Sequence, residues 1–235
     1  MKTAKKILQV PKTLSQTIYA HLKESIINNE LEANERINEK EIAKSFGVST
    51  TPVREAVLRL GADGYIKIDT HRRAVVAEIS YQELLDLYQV MSILESAAVI
   101  DILDHIQSEQ ISRIEEKTEE MIKLSNSDSV ELFLQLNVSI HNELWQSLSN
   151  RMLQKTLRFV DDQILRYNHA RTLIFQSQKA LDISRRDHKR LITLLKSRDK
   201  DKLAVLVRNH WNLLTLPSLK NERFQKYINT NGGDK

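Results

Sequence analysis

Between Ser80 and Pro217 the chain contains neither glycine nor proline. These two residues stop helices most reliably, so a run this long without either leaves helix as the default local structure. Inside the run, apolar residues recur at three- and four-residue spacing, the mark of one helix face rather than of a strand. Leu84, Leu87, Val90, Leu94 and Ala98 form one stripe, and Ile111, Ile114, Met121 and Leu124 form the next. Leu132, Leu136, Ile140 and Leu144 follow, then Met152, Leu157, Val160 and Leu165. Ile183, Leu191 and Leu194 precede Leu203, Leu206 and Leu213. Polar clusters near Ser108, Ser125–Ser129, Ser149–Asn150, Asn168–Ser177 and Ser197–Asp199 divide the pattern into six or seven helices. An antiparallel bundle is the simplest way for such stripes to bury one another.

The punctuation sits upstream. Three of the five glycines (Gly47, Gly61, Gly64) lie before residue 78, and the other two are near the C-terminus. Charge divides in the same place. Residues 1–78 hold 13 Lys+Arg against 10 Asp+Glu, whereas 79–235 hold 22 against 21, out of a total net charge of +4. The expected organisation is therefore mainly α: a small basic domain over 1–78, an all-helical domain over 79–228, and a disordered tail over 229–235. The chain has no cysteine, which excludes disulfide scaffolds, thiolate zinc sites and cysteine nucleophiles together. No window approaches 18 uninterrupted apolar residues, and the apolar run Ile7 to Val10 is too short for a secretory signal, so a cytoplasmic chain without a membrane span is expected.

The basic domain reads as three helices and a hairpin. Ile18, Leu22 and Ile26 step along one helical face. Asn38 and Glu41 have the spacing of a capping box opening a second helix, EKEIAKSF, which Gly47 then ends. Ser49 is a suitable cap for a third helix, where Pro52 falls in the tolerant first turn and Val53, Val57 and Leu60 point inward before Gly64. Gly47 is also expected to keep the two helices close, where a bulky side chain would push them apart. Tyr65–Ile68 and Ala74–Ala77 are β-prone runs around a basic tip, Asp69 to Arg73. Helix, tight turn, helix and basic hairpin together are the pattern of a winged helix-turn-helix that reads double-stranded DNA, the competing reading being a small helical domain with a solvated basic face. Ser49, Thr50, Thr51 and Arg54 would face the major groove, Lys40 the backbone, and His71, Arg72 and Arg73 the phosphates or minor groove.

The stretch INEKEIAKSFGVSTTPVREAVLRLGADGYIKI, residues 37–68, resembles the DNA-binding domain of the GntR family of bacterial transcriptional regulators. The resemblance implies a homodimer on a palindromic operator, with contacts carried onto Lys40, Ser49, Thr51 and Arg54. Two positions depart from the family pattern: Thr50 stands where an arginine usually reads a base, and Arg73 stands where the wing tip usually has glycine.

Within the helical domain, Asn137 and His141 are one turn apart on one face, and His188 and His210 sit on two later helices among apolar neighbours. Three imidazoles converging in a bundle would suit Zn, Ni or Mn, with oxygen completing the shell. On the residues alone, any one of these histidines is more often a satisfied core or surface side chain. This domain is similar to the FCD effector domain that follows many GntR readers. The resemblance implies a divalent metal held by Asn137, His141, His188 and His210, with Asn137 replacing the family's aspartate. It also implies an effector pocket in which Met91 replaces a carboxylate-clamping arginine. Arg158 and Arg166 are substitute clamps, with solvated surface as the competing reading. The expected function is a ligand-responsive DNA-binding regulator, in most of the family a repressor, and not an enzyme. Its effector would be a small metabolite, with organic acids among the candidates, acting through a hinge near Glu78–Tyr81. Two alternatives stand beside it: a metal-free regulator whose histidines hydrogen-bond the ligand, and a metal-dependent hydrolase.

Overall fold

The computed structural model describes residues 13–69, 73–78, 80–124 and 130–212. The expected tail over 229–235 lies outside them. The chain divides into two compact units, Met1–Ala77 and Glu78–Lys235.

The first unit holds α1 (Leu14–Ile27), α2 (Glu39–Phe46), α3 (Thr50–Ala62) and the strands β1 (Ile66–Ile68) and β2 (Ala74–Val76). Thr13 and Gln16 close a reciprocal capping box at the start of α1. At α2 the Asn38 side chain accepts from the backbone N–H groups of Lys40 and Glu41. Gly47 ends α2 in the left-handed region at φ 65°. A Cβ built there meets nothing within 4 Å, so conformation alone calls for glycine, and the expected close approach of the helices is corrected. Ser49 stands at the N-cap of α3, but its side chain makes no capping hydrogen bond. Val53, Ala56, Val57 and Leu60 of α3 close over Ile18 and Leu22 of α1, and Tyr65, Ile66 and Val76 complete the core. The strands pair antiparallel, Ile66 opposite Val76 and Ile68 opposite Ala74. A further segment went unforeseen. Asn34 and Ile37 donate to Val76 and Ala74, and Arg36 bridges Val75, so the hairpin gains an extra edge.

The second unit contains, among the described residues, seven helices: α4 (Tyr81–His105), α5 (Ser108–Lys123), α6 (Val130–Trp145), α7 (Arg151–Leu165), α8 (Asn168–Phe175), α9 (Gln178–Ser197) and α10 (Lys200–His210). The segment Asn168–Ser177, expected as a break, mostly forms the short helix α8. α4 packs on α7 and α10, α5 on α6 and α9, and α9 on α10. With no glycine available, the turn between α9 and α10 puts Arg198 itself at φ 53°. The Arg198 guanidinium reaches the Leu103 and Ile106 carbonyls, satisfying the last turn of α4.

The inward face of α4 differs from the expected stripe. Leu84, Tyr88, Met91, Glu95, Ala98 and Ile102 are buried, whereas Val90 is 43% exposed. Leu132 and Met152 are likewise exposed rather than in the core. The α4 seam is turned because its buried face includes a carboxylate, Glu95, which a pattern of apolar residues alone passes over.

Candidate functional site

In the first unit, Ser49, Thr50, Thr51 and Arg54 all lie exposed at the N-terminal end of α3, and Lys40 lies exposed in the first turn of α2. The opposite side of α3 is buried, so the helix is fixed by its apolar face and offers its polar face to a partner. Tyr19 of α1 donates to Asp63 at 2.6 Å, and Arg59 stacks over the Tyr19 ring at 4.2 Å, fastening the far end of α3. The free N–H groups of the first turn add a positive end suited to phosphate. Arg73 bonds Asp69 across the hairpin, through its backbone N–H at 2.8 Å and its Nε at 2.7 Å. His71 and Arg72 lie outside the described residues.

In the second unit, His141 of α6, His188 of α9 and His210 of α10 each offer a ring nitrogen within 4.8 Å of the others. What holds each ring is on its other side. His141 Nδ1 stands 2.8 Å from Glu95 Oε1, and His188 Nδ1 stands 2.8 Å from the Ser184 carbonyl. His210 Nδ1 faces Asp187 Oδ2 at 3.7 Å. With the proton on Nδ1, toward the acceptor behind each ring, the Nε2 lone pairs converge, the arrangement that orients imidazole ligands. His141 and His210 Nε2 are 3.3 Å apart, and His188 Nε2 is buried without a hydrogen-bond partner. Two ligands on one tetrahedral zinc, each about 2.0–2.1 Å from it, stand roughly 3.3 Å apart, so the donor set fits such an ion.

The electrostatics favour neutral imidazoles at His188 and His210. Burial, together with the neighbouring His210 and His141, holds the His188 pKa well below its usual value. Burial also lowers His210, with Asp187 partly opposing it. Glu95 would be raised by its burial, but His141 beside it and hydrogen bonds from His141 and Trp211 keep it below the usual carboxylate range. The indoles of Trp145 and Trp211 both donate to this carboxylate. Glu95 escaped the sequence reading; the available signal was a lone acid on the inward heptad Met91, Glu95, Ala98, Ile102.

A cavity of about 450 Å³ opens beside the triad. Asn137, one turn before His141, reaches its wall, as do His210, Asp187, Tyr88 and Trp211. Its arginines are Arg171, Arg186 and Arg190. None of the three residues expected to face an effector lines it. Met91 is fully buried in the helical core, Arg158 is exposed on α7, and Arg166 turns to Gln163 and Glu83. The guanidiniums of the cavity come instead from α8 and α9, the first of which was read as a break.

A helix with an exposed polar face beside a hairpin, followed by an all-helical unit with a polar cavity, defines a winged-helix transcription factor with a C-terminal helical domain. Residues 14–76 match the family described as bacterial regulatory proteins, gntR family, and residues 86–213 match the FCD domain. The chain belongs to the GntR family of DNA-binding transcriptional regulators, in the branch that carries an FCD domain. It is 30% identical to the uncharacterized HTH-type transcriptional regulator YdhC of Bacillus subtilis, over 83% of this chain and 86% of that one. It is 29% identical to the Nta operon transcriptional regulator of Aminobacter aminovorans, over 75% and 80% of the two chains. The solved structure of E. coli McbR/YncC shares the fold, with a TM-score of 0.68 at 18% identity, covering 92% of this chain and 99% of that one. These families and relatives are regulators rather than enzymes. No described helix is long and apolar enough to cross a membrane.

Proposed function

We propose that this regulator is a cytoplasmic, metabolite-responsive homodimer, most simply a repressor, whose FCD domain holds a divalent metal and takes its effector in the adjoining cavity. The observation carrying this reading is the convergence of three imidazole nitrogens, each ring braced from behind, at the edge of a 450 Å³ cavity. His141, His188 and His210 would hold zinc, nickel or manganese, with the Asn137 amide oxygen as a neutral fourth donor. The metal would supply a Lewis-acidic contact for an effector oxygen. An effector that binds one arrangement of the dimer more tightly would shift operator affinity through the connection near Glu78–Tyr81.

On DNA, Ser49, Thr50, Thr51 and Arg54 would enter the major groove, with Lys40, His71, Arg72 and Arg73 on the backbone or minor groove. Val90, Ile93 and Ile100 stand exposed along one side of α4 and support a second copy covering that helix. Repression is supported by the 23% identical relative named HTH-type transcriptional repressor RspR of E. coli, over 84% of this chain.

Selection from a random DNA pool followed by mobility shifts at moderate salt tests the reader. A palindrome with half-sites about one helical turn apart is expected, and absence of any sequence preference would sink the proposal. Elemental analysis of protein purified without an affinity tag tests the metal. About one metal per chain is expected. The 3.3 Å spacing of the His141 and His210 Nε2 atoms is also a hydrogen-bond distance, so it favours a second reading in which the triad binds the effector without metal. Substoichiometric metal with effector binding intact would decide for that reading.

A further inference from the structure

Arg171 is the one arginine among the described residues that is buried, at 2% exposure. Its Nε and Nη1 have no hydrogen-bond partner, and the Tyr88 hydroxyl accepts from the guanidinium. Arg171 belongs to no ion pair among the described residues. Asp161 is near enough to feel its charge, and burial pushes that carboxyl up to about 6, but no ion pair joins the two side chains. A guanidinium kept from water without a matching anion is costly, and a chain tolerates such a cost where it serves binding.

The surroundings extend the pattern. Arg171 and Tyr88 line the same cavity as His210, while Arg186 and Arg190 line it from exposed positions on α9. Among the described residues, Asp187 is the single carboxylate of the lining, and it is already engaged with His210 and Arg186. Three guanidiniums against one paired carboxylate give the cavity a positive field that gathers anions.

Building on the reading of this cavity as the effector site, we propose that its ligand is a small acid with two anionic groups, one held at the histidine end and the second by Arg171. Arg171 is then the residue that sets ligand class. Arg186 and Arg190 draw the acid in, and the volume suits a compact dicarboxylate or phosphorylated carboxylic acid rather than a lipid.

Calorimetric titration of zinc-loaded full-length protein with propionate, glutarate and 3-phosphoglycerate separates the possibilities. At least one of the two acids with two anionic groups should bind ten-fold or more tightly than propionate, and which one does so distinguishes carboxylate from phosphate as the second group. Arg171→Met should erase that preference by weakening the two-headed acid far more than propionate, and Arg171→Lys should retain part of it. Ligand-free Arg171→Met should also melt a few degrees higher than wild type, because an unmatched buried charge has gone. A residue that only supports the fold would give a lower melting point instead. If Arg171→Met does not fold, Arg171→Gln supports the same titrations. Equal affinity for propionate and both two-headed acids, or a preference that survives loss of the Arg171 charge, overturns the inference. Failure of all three acids to bind wild-type protein overturns the effector-site reading itself.

Discussion

The reader keeps its chemistry outside: Lys40, Ser49, Thr50, Thr51 and Arg54 stand in solvent around a small apolar core. The FCD domain does the opposite, burying Glu95, His141, His188 and Arg171 to 2% exposure or less. An exposed polar group costs the fold nothing and exchanges water for a partner when DNA arrives. A buried one must have its partner already, or await one from outside. Substitutions should therefore weaken binding without changing stability in the first unit, and change stability and binding together in the second.

The largest effect is expected at His141. His141→Ala removes the ring that faces Glu95 at 2.8 Å and leaves a buried carboxylate with only its two indole donors. Breaking a buried pair of this kind costs about 3–5 kcal/mol, read from chemical denaturation. Zinc binding should vanish with it. A change under about 1 kcal/mol would break the contrast between the units.

Ile93 sharpens the contrast from within the FCD domain, because it is 53% exposed on the outer side of α4. Ile93→Asp should leave the stability of a single chain within about 0.5 kcal/mol, as surface changes do. If a second copy covers this helix, dimer affinity falls by about 2 kcal/mol, roughly 30-fold, in sedimentation equilibrium. An unchanged dimer would remove α4 from the interface.

Arg54→Ala comes next. Loss of one base or phosphate contact should weaken operator binding by about 1–3 kcal/mol in fluorescence anisotropy. The denaturation midpoint should not move, since Arg54 is exposed and holds no buried partner. Both tryptophans, Trp145 and Trp211, belong to the FCD domain and bond the carboxylate that faces His141, so tryptophan emission should respond to zinc and ignore Arg54→Ala.

The same contrast explains what the sequence disclosed. Reader elements follow from neighbours in the chain: Asn38 caps two residues on, and Gly47 ends the helix it follows. Those rules act over a turn or less, so α2 fell where expected, while α3 ended at Ala62, short of the expected Gly64. The extra edge through Arg36 was missed because its partner, Val75, is distant in sequence. In the FCD domain the three histidines could be named, but not what braces them. Glu95 sits 46 residues from His141, and only tertiary contact makes an inward carboxylate tolerable. Reading α4 for apolar residues alone put Val90 on the buried face in place of Met91 and Glu95. The same preference for polar residues as breaks hid α8, and with it Arg171.

The smallest expected effect tests how local those reader rules are. Gly47 stands at φ 65° with no atom within 4 Å of a built Cβ. If backbone conformation is the whole reason for glycine, Gly47→Ala should cost about 1 kcal/mol, the order of the left-handed penalty for a residue with a Cβ. Gly47→Asn should cost less, because asparagine tolerates that region better than other side chains. Gly47→Leu should cost little more than alanine, since its side chain enters open space. Urea denaturation of the three variants ranks them directly. A leucine variant several kcal/mol below alanine would mean that α2 and α3 are held by tight packing at the turn. The reader would then depend on unseen tertiary constraint as the FCD domain does, and the contrast between the two units would narrow.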